Sequence, residues 1–449
     1  MENYNFLNKK HIHFIGICGV SMSSLAMLTK SFNIEVSGSD QNFDVIVHKL
    51  RKNNIKVFIG HNANHITDDC DMVVFSGAIK EDNVEYQVAK EKNIQLVERS
   101  IFLGEMCKLF KNVVAIGGTH GKTTTTAMVC NIFEFAKLNP TMHLGGISNN
   151  FNSNIKVGGK DYFITEACEY RNSFKYIFSD ACVVTSTDPD HLDSYKSSND
   201  LKEAYQTFAK HSNFVVLTQN AKNINLKNNY IVVGNNENCG LCAKNLKCDS
   251  YGHYSFDAWL DKKYLANFKL NVVGEFNVYN ALCAIAIALY YNISITTIYD
   301  ALRDFSGVKR RNEKIGLIKD VPIICDYAHH PTEIEKTITA NKKIYKNILC
   351  VFQPHTYSRT KNFMPHFVTA FKGVIKLILY KTYPAREEKI KGGDAKDLFK
   401  LVKIKSDKKF YAENKYQLKN LVYSNLENID CILVLGAGNI YNIAKNVFK

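Results

Sequence analysis

Short runs of β-branched and aliphatic residues recur along the chain, and most are followed by a stretch with the apolar spacing of a helix. The runs predict strands over His11–Ile17, Ile34–Ser37, Lys56–Ile59, Met72–Ser76, Val113–Ile116, Phe163–Thr165, Ala181–Thr185, Phe214–Thr218, Pro322–Cys325, Ile348–Phe352, Val374–Leu379 and Cys431–Leu435. Helices are predicted over Ser21–Lys30, Thr123–Phe135, Asn277–Tyr290 and Thr332–Asn341. Apolar strands alternating with helices are the mark of parallel sheets, because each crossover lays a helix over the sheet. The stretch Ile231–Val273 breaks this rhythm with short runs and turn residues, and predicts a small antiparallel insert. The rhythm restarts at Val113 and again near Pro322, and no period of 20–50 residues repeats. The expectation is an α/β chain of three domains, over residues 1–108, 109–313 and 314–449.

Composition narrows this picture. With 46% hydrophobic and 22% charged residues in 449, the chain has the make-up of a folded globular protein, which excludes disorder as its main state. The longest clean apolar run, Ala281–Tyr291, falls short of the ~20 residues that span a bilayer. The opening MENYNFLNKKHIH is too polar for a signal peptide, so no membrane insertion and a cytoplasmic location are expected. The net charge is +14, but only eight of the 57 basic residues are arginines. The lysines form no dense block with interleaved aromatics, so they read as solvated surface and no nucleic-acid partner is expected. Thirteen cysteines are dispersed, mostly in apolar contexts. Cys239, Cys242 and Cys248 offer three legs of a zinc site without a fourth, and are read as structural.

Candidate chemistry begins at residues 13–23, HFIGICGVSMS. A strand runs into a glycine turn (Gly16, Gly19) and then a helix bearing Ser21 and Met22, with Asp40 ending the next strand. That layout suits a nucleotide diphosphate on a helix N-terminus, although Cys18 and Ser21 interrupt the glycine pattern and a tight packing turn explains it equally well. The segment VVAIGGTHGKTTTT at 113–126 is more specific. Gly117, Gly118, Thr119, His120, Gly121, Lys122, Thr123 and Thr124 form a variant P-loop between a strand and a helix. Its backbone N–H groups would cradle phosphate, Lys122 would reach the β/γ oxygens, and the Thr123 hydroxyl would ligate Mg²⁺. The central domain is therefore read as carrying a P-loop.

Two further stretches end consecutive predicted strands, TEACEY at 165–170 and DPDHLD at 188–193. Glu166 and His191 there would serve nucleotide-bound Mg²⁺, since strand C-terminal ends converge on the ligand crevice. Downstream come FNVYNA at 276–281, with Asn277 and Asn280 three apart on one helical face, then Arg310-Arg311, DYAHHPTE at 326–333 and FQPHTYSRT at 352–360. Four of the eight arginines (Arg310, Arg311, Arg359 and Arg386) lie in or near these motifs, where a guanidinium fork suits phosphate or carboxylate.

In this order the motifs resemble the Mur ligase family across essentially the whole chain. SGSD at 37–40 and FSGAIKEDNVE at 75–85 add to the likeness. The resemblance implies a Rossmann-like UDP-sugar-binding domain over residues 1–108, a central P-loop ATPase domain over 109–313 and a Rossmann-like amino-acid-binding domain over 314–449. It implies an ATP-dependent ligase of peptidoglycan precursor synthesis that phosphorylates the lactyl carboxylate of UDP-N-acetylmuramate and couples it to L-alanine. Carried over residue by residue, Lys122 neutralises the γ-phosphate, Thr123 with Glu166 holds one Mg²⁺, and His191 holds a second. Asn277, Asn280 and Asp326 face the nucleotide, and Arg311 a phosphate. Tyr327, His329, His355 and Arg359 surround the amino acid, and Gly16, Gly19, Ser21, Met22 and Asp40 meet the UDP end. A monomer or weak homodimer is expected.

The chain departs from the family pattern at five places. Cys18 stands for glycine, Ser186 for asparagine, Phe276 for histidine, Asn312 for an aromatic and Thr356 for a second arginine. No lysine follows His191 at the spacing where some relatives carry a carbamylated one. Three alternatives stay open: a recycling ligase that attaches a preformed tripeptide, a nucleotide-binding regulator without catalysis, and a nicotinamide dehydrogenase that leaves the P-loop unused.

Overall fold

The computed structural model describes residues 6–41, 45–189, 195, 197–221, 223–227 and 229–448. The chain divides into two compact units, residues 1–233 with 283–298, and residues 234–282 with 299–449. The architecture is three-domain α/β, with a mixed sheet in the central domain.

The first unit opens with β1 (His11–Ile15), β2 (Glu35–Asp40), β3 (Lys56–Ile59), β4 (Met72–Phe75) and β5 (Gln95–Glu98). They form a parallel sheet in the order β3-β2-β1-β4-β5. All five residues of β1 are buried, as a central strand covered on both faces requires. The unit continues with β6 (Asn112–Gly117), β7 (Thr141–Ser148), β8 (Ser153–Lys156), β9 (Tyr162–Glu166), β10 (Ser179–Val184), β11 (Ser212–Thr218) and β12 (Tyr230–Gly234). These run β12-β11-β10-β6-β9-β7-β8, parallel except for the β7–β8 hairpin. One apolar cluster runs from Phe14, Leu25 and Phe102 through Phe163 and Phe174 to Tyr205 and Phe208. Each such side chain contributes about 1.5–3 kcal/mol on burial, so the two sheets are joined by a shared core rather than by a linker.

The second unit begins with the hairpins of β13 (Leu241–Cys248), β14 (His253–Leu260) and β15 (Lys263–Val273), which are antiparallel. The predicted insert therefore starts later than Ile231. The Ile231–Val233 run instead pairs parallel with β11, after Asn229 turns the chain at φ +58°. The unit's larger sheet comprises β16 (Glu313–Ile318), β17 (Val321–Asp326), β18 (Ile348–Phe352), β19 (Lys376–Tyr380), β20 (Lys409–Ala412) and β21 (Cys431–Leu435). Its order is β16-β17-β21-β18-β19-β20, parallel apart from the β16 edge. Apolar clusters cover both faces of this sheet. Among the described residues no helix is long and apolar enough to cross a membrane.

Candidate active site

The P-loop joins β6 to the helix Lys122–Phe135. Gly118 sits at φ +126°, and a Cβ there would lie 2.0 Å from Thr185 Oγ1. Gly121, at φ +82°, precedes the helix without a side-chain cap. The first N–H groups of that helix therefore end in a glycine turn, the arrangement that favours an anion. The loop is braced from β10 onward: Thr119 N–H donates to Ser186 O (3.0 Å), and His120 N–H to Ser186 Oγ (3.0 Å). Thr119 Oγ1 donates to Asp188 O (2.7 Å). Ser186, a departure from the family pattern, thus serves as a bracket of the loop. Thr123 and Thr124 are buried in the first helical turn.

Lys122 Nζ donates to Gly118 O (2.5 Å) and Thr119 O (3.3 Å), and pairs with Glu169 Oε2 at 2.8 Å. Burial works to lower its pKa, but Glu169, Cys168 and Glu166 around it raise it overall, so the ammonium stays charged. Glu166 ends β9, in register with Ile116 of β6. Its Oε1 accepts the Gly145 N–H at 2.6 Å. A Cβ at Gly145 would lie 2.6 Å from Glu166 Oε2, so this carboxylate occupies space that only glycine leaves open. His191 lies outside the described residues.

In the first sheet, Gly16 adopts φ +82°, and the N–H groups of Gly16 and Ile17 both donate to Ser39 O (2.8 and 3.0 Å). Cys18 N–H donates to Asp40 Oδ2 (3.0 Å) while its side chain packs on the apolar core. Cys18 is not among the residues with positive φ, so its backbone does not demand glycine. Gly19 precedes the helix Val20–Ser31 without a side-chain cap, and Met22 is buried. Ser21 Oγ meets His143 Nε2 of β7 at 3.0 Å.

Beneath this turn, Glu85 is fully buried and receives a bond from Ser39 Oγ. His65 Nδ1 lies 2.6 Å from its Oε1, His61 Nδ1 3.2 Å and His13 Nε2 3.7 Å from its Oε2. Burial pushes the Glu85 pKa up, but His13, Ser39 and His65 outweigh it and hold the group down at about 2. A carboxyl depressed from an ordinary 4.5 contributes stability above pH 4.5 that is lost as pH falls toward 2. Glu85→Gln is expected to lower stability at pH 7 by about 3 kcal/mol. Unfolding curves of the two proteins should converge as pH drops through that window.

In the second unit, the carboxyl ends of the parallel strands gather most of the downstream motifs. Asp326 ends β17, and its two carboxylate oxygens accept N–H groups from Ala328 (2.8 Å) and Asn312 (2.7 Å). Burial raises its pKa, against the lowering pull of Arg311. The guanidiniums of Arg310 and Arg311 lie 4.6 and 5.0 Å from the Tyr327 ring centroid. Arg310 also donates to Gly436 O and Gly438 O (3.1 and 3.0 Å). The rings of Tyr327, His329, His355 and Tyr383 then follow one another at 5.4, 5.8 and 5.6 Å. Arg359 Nη1 is 3.3 Å from His355 Nδ1. The four residues predicted for the amino acid are therefore brought together, with Tyr383 added. Asn280 Nδ2 donates to Asn277 Oδ1 (2.9 Å), so these two form the pair that their spacing predicts. Cys242 and Cys248 sit at opposite ends of β13, Cys248 exposed and Cys242 buried.

Thr356, between His355 and Arg359, has φ +65° and ψ 146°, a region that β-branched residues avoid. Its hydroxyl caps the helix Tyr357–Asn362 only through a 3.4 Å bond from Arg359 N–H. Relief of the strain outweighs this weak cap, so Thr356→Gly is expected to stabilise the protein by about 1 kcal/mol. A rise in Tm on a thermal scan checks it.

Three family models match the chain in succession. They are the Mur ligase family catalytic domain over residues 11–111, the Mur ligase middle domain over 116–288, and the Mur ligase glutamate ligase domain over 310–438. The chain belongs to the Mur ligase family.

Among its relatives, the UDP-N-acetylmuramate–L-alanine ligase of Lachnoclostridium phytofermentans is 36% identical over the full length of both chains. The enzyme of the same name from Clostridium botulinum strain Hall is 40% identical over 97% of each. A crystal structure of UDP-N-acetylmuramate–alanine ligase from Thermotoga maritima has this Mur ligase fold with a TM-score of 0.83, at 24% identity over 97% of this chain and 98% of that one. The murein peptide ligase of Psychrobacter arcticus shares the fold at a TM-score of 0.73, with 22% identity over 98% of each chain. Reading the Mur ligase motifs alone misses Glu169, His143 and Tyr383. Glu169 was within reach of the sequence, since it stands three residues after Glu166 in TEACEY. His143 carried no such signal.

Proposed function

We propose that this Mur ligase joins L-alanine to the lactyl carboxylate of UDP-N-acetylmuramate, consuming ATP and releasing ADP and phosphate. The observation that carries the reading is its 36–40% identity, over nearly the whole of both chains, to curated ligases of that name. A carboxylate is a poor electrophile. Attack of its oxygen on the γ-phosphorus, with ADP leaving, converts it to an acyl phosphate. The alanine amine then attacks the acyl carbon, phosphate leaves, and the amine gives up a proton.

The chain's own residues do the positioning. Lys122, held by Glu169 and two loop carbonyls, is poised to exchange one of them for a γ-phosphate oxygen. The P-loop N–H groups take the remaining phosphate charge, and Arg311 serves a phosphate. Asn277, Asn280 and Asp326 serve the nucleotide. Thr123 and the Glu166 carboxylate supply hydroxyl and carboxylate oxygens, the hard donors that Mg²⁺ takes, and His191 is assigned to a second ion. Bound there, Mg²⁺ would draw charge from the phosphate oxygens. Gly16, Gly19, Ser21, Met22 and Asp40 serve the UDP end. Tyr327, His329, His355 and Arg359 surround the alanine, with Arg359 taking its carboxylate. Cytoplasmic location fits these substrates.

The test is phosphate release from ATP with UDP-N-acetylmuramate and a panel of L-alanine, glycine, L-serine and a tripeptide. Alanine-dependent release with amide product is expected. Release with the tripeptide alone would transfer the reading to the recycling ligase, and tight ATP binding without turnover would transfer it to a regulator.

A further inference from the structure

Strand β7 touches both substrate-facing elements of the first unit. His143, on this strand, is 4% exposed. Its Nε2 lies 3.0 Å from Ser21 Oγ in the glycine-turn helix, and its Nδ1 lies 2.8 Å from Thr165 Oγ1. Thr165 is fully buried, precedes Glu166 on β9 and also bonds Glu166 O at 3.1 Å. Two residues along β7, the Gly145 N–H holds the Glu166 carboxylate. Strand β8, paired with β7, adds a second clamp, since Asn154 Nδ2 donates to Val20 O (3.1 Å) and Ser24 Oγ (2.8 Å).

We propose that His143 is a positioning residue that ties the UDP-sugar turn at Ser21 to the Thr165–Glu166 strand end, so that sugar carboxylate and γ-phosphate meet in one register. The tie rests on the ligase reading above. Burial, helped by Arg99, lowers the His143 pKa to about 3, so the ring is neutral and offers one N–H and one lone pair. Thr165 gives its hydroxyl hydrogen to Glu166 O, so the ring's Nδ1–H donates to Thr165 and its Nε2 accepts from Ser21. If the site needed only filling, aliphatic side chains in place of His143, Ser21 and Thr165 would serve, because removing matched polar groups together is nearly neutral. A planar ring bonded at both ends instead fixes a distance. Reacting groups misplaced by about 1 Å can cost on the order of 10²-fold in rate, which is the size of effect such a tie controls.

The experiment compares His143→Leu, His143→Gln, His143→Asn and Ser21→Ala with the wild-type protein. It measures kcat per folded molecule, KM for each substrate, binding of UDP-N-acetylmuramate and of ATP separately by calorimetry, and Tm. An amide at Gln reaches the Nε2 position and keeps only the Ser21 end, whereas Asn reaches the Nδ1 position and keeps only the Thr165 end. His143→Leu is expected to lower kcat by roughly 10- to 100-fold, with the ATP KM and both separate affinities within about threefold. Gln and Asn should each fail to rescue it. Combining Ser21→Ala with His143→Leu should cost no more kcat than His143→Leu alone, because both cut one connection. A role in stability alone would lower Tm while leaving kcat per folded molecule unchanged, and that result overturns the proposal. So does multiplication of the Ser21→Ala and His143→Leu losses. If His143→Leu does not fold, wild-type kcat in both His143→Gln and Ser21→Ala overturns it instead. A wild-type protein without alanine-dependent turnover would count against the ligase reading, not against the tie.

Discussion

Lys122→Ala is expected to lower kcat by about three orders of magnitude or more, while the affinity for UDP-N-acetylmuramate stays within a few-fold. The lysine stands at the end of the phosphate loop, bonded to the carbonyls of Gly118 and Thr119 and paired with Glu169. Its removal takes away the charge that neutralises the transferring phosphoryl group. It also removes the ion-pair partner of Glu169, whose side chain is 2% exposed, and breaking a buried ion pair costs about 3–5 kcal/mol. Lys122→Met with Glu169→Gln separates the two effects, since it removes both charges of the pair. The double variant should regain stability without regaining turnover. Loss of UDP-sugar binding in a folded variant would mean that ligands are wrongly distributed among the domains.

Gly145→Ala is expected to lower kcat by about two orders of magnitude and to raise the Mg²⁺ concentration needed for half-maximal rate. Gly145 is not at positive φ, so alanine fits the backbone. Its methyl group would nonetheless lie 2.6 Å from Glu166 Oε2 and 2.9 Å from Oε1, and the carboxylate must move. The binding of UDP-N-acetylmuramate should be little changed, because the Ser21–His143 contact is two residues away on the strand. Rates measured across a Mg²⁺ series check this. An unchanged Mg²⁺ dependence would remove Glu166 from the metal site.

The features that could be read before folding were those in which chemistry and local structure share one segment. The glycines, Lys122 and Thr123 stand where a strand gives way to a helix, and that boundary was legible from the apolar pattern. Four predicted helices match the observed ones to within one residue at each end, because their apolar faces repeat at the helical period. Strand β7 was not legible. Pro140 precedes it and Gly145 and Gly146 interrupt it, so the segment reads as a loop, and His143 between Met142 and Leu144 has no motif of its own. The Lys122–Glu169 pair was hidden for a different reason, because a carboxylate is matched to a lysine by neighbouring strand ends and not by spacing along the chain. Cys18 looked like damage to the glycine turn, yet its backbone avoids positive φ and its side chain joins the core. The strain at Thr356 has no counterpart in composition at all.

The central claim is that ATP activates the sugar carboxylate as an acyl phosphate. Carrying ¹⁸O in the lactyl carboxylate of UDP-N-acetylmuramate and analysing the released phosphate tests it most directly. With L-alanine and ATP present, one ¹⁸O atom should appear in each phosphate formed, matched one for one by amide product. Phosphate released without the label would mean that ATP is split by water, and would contradict the account.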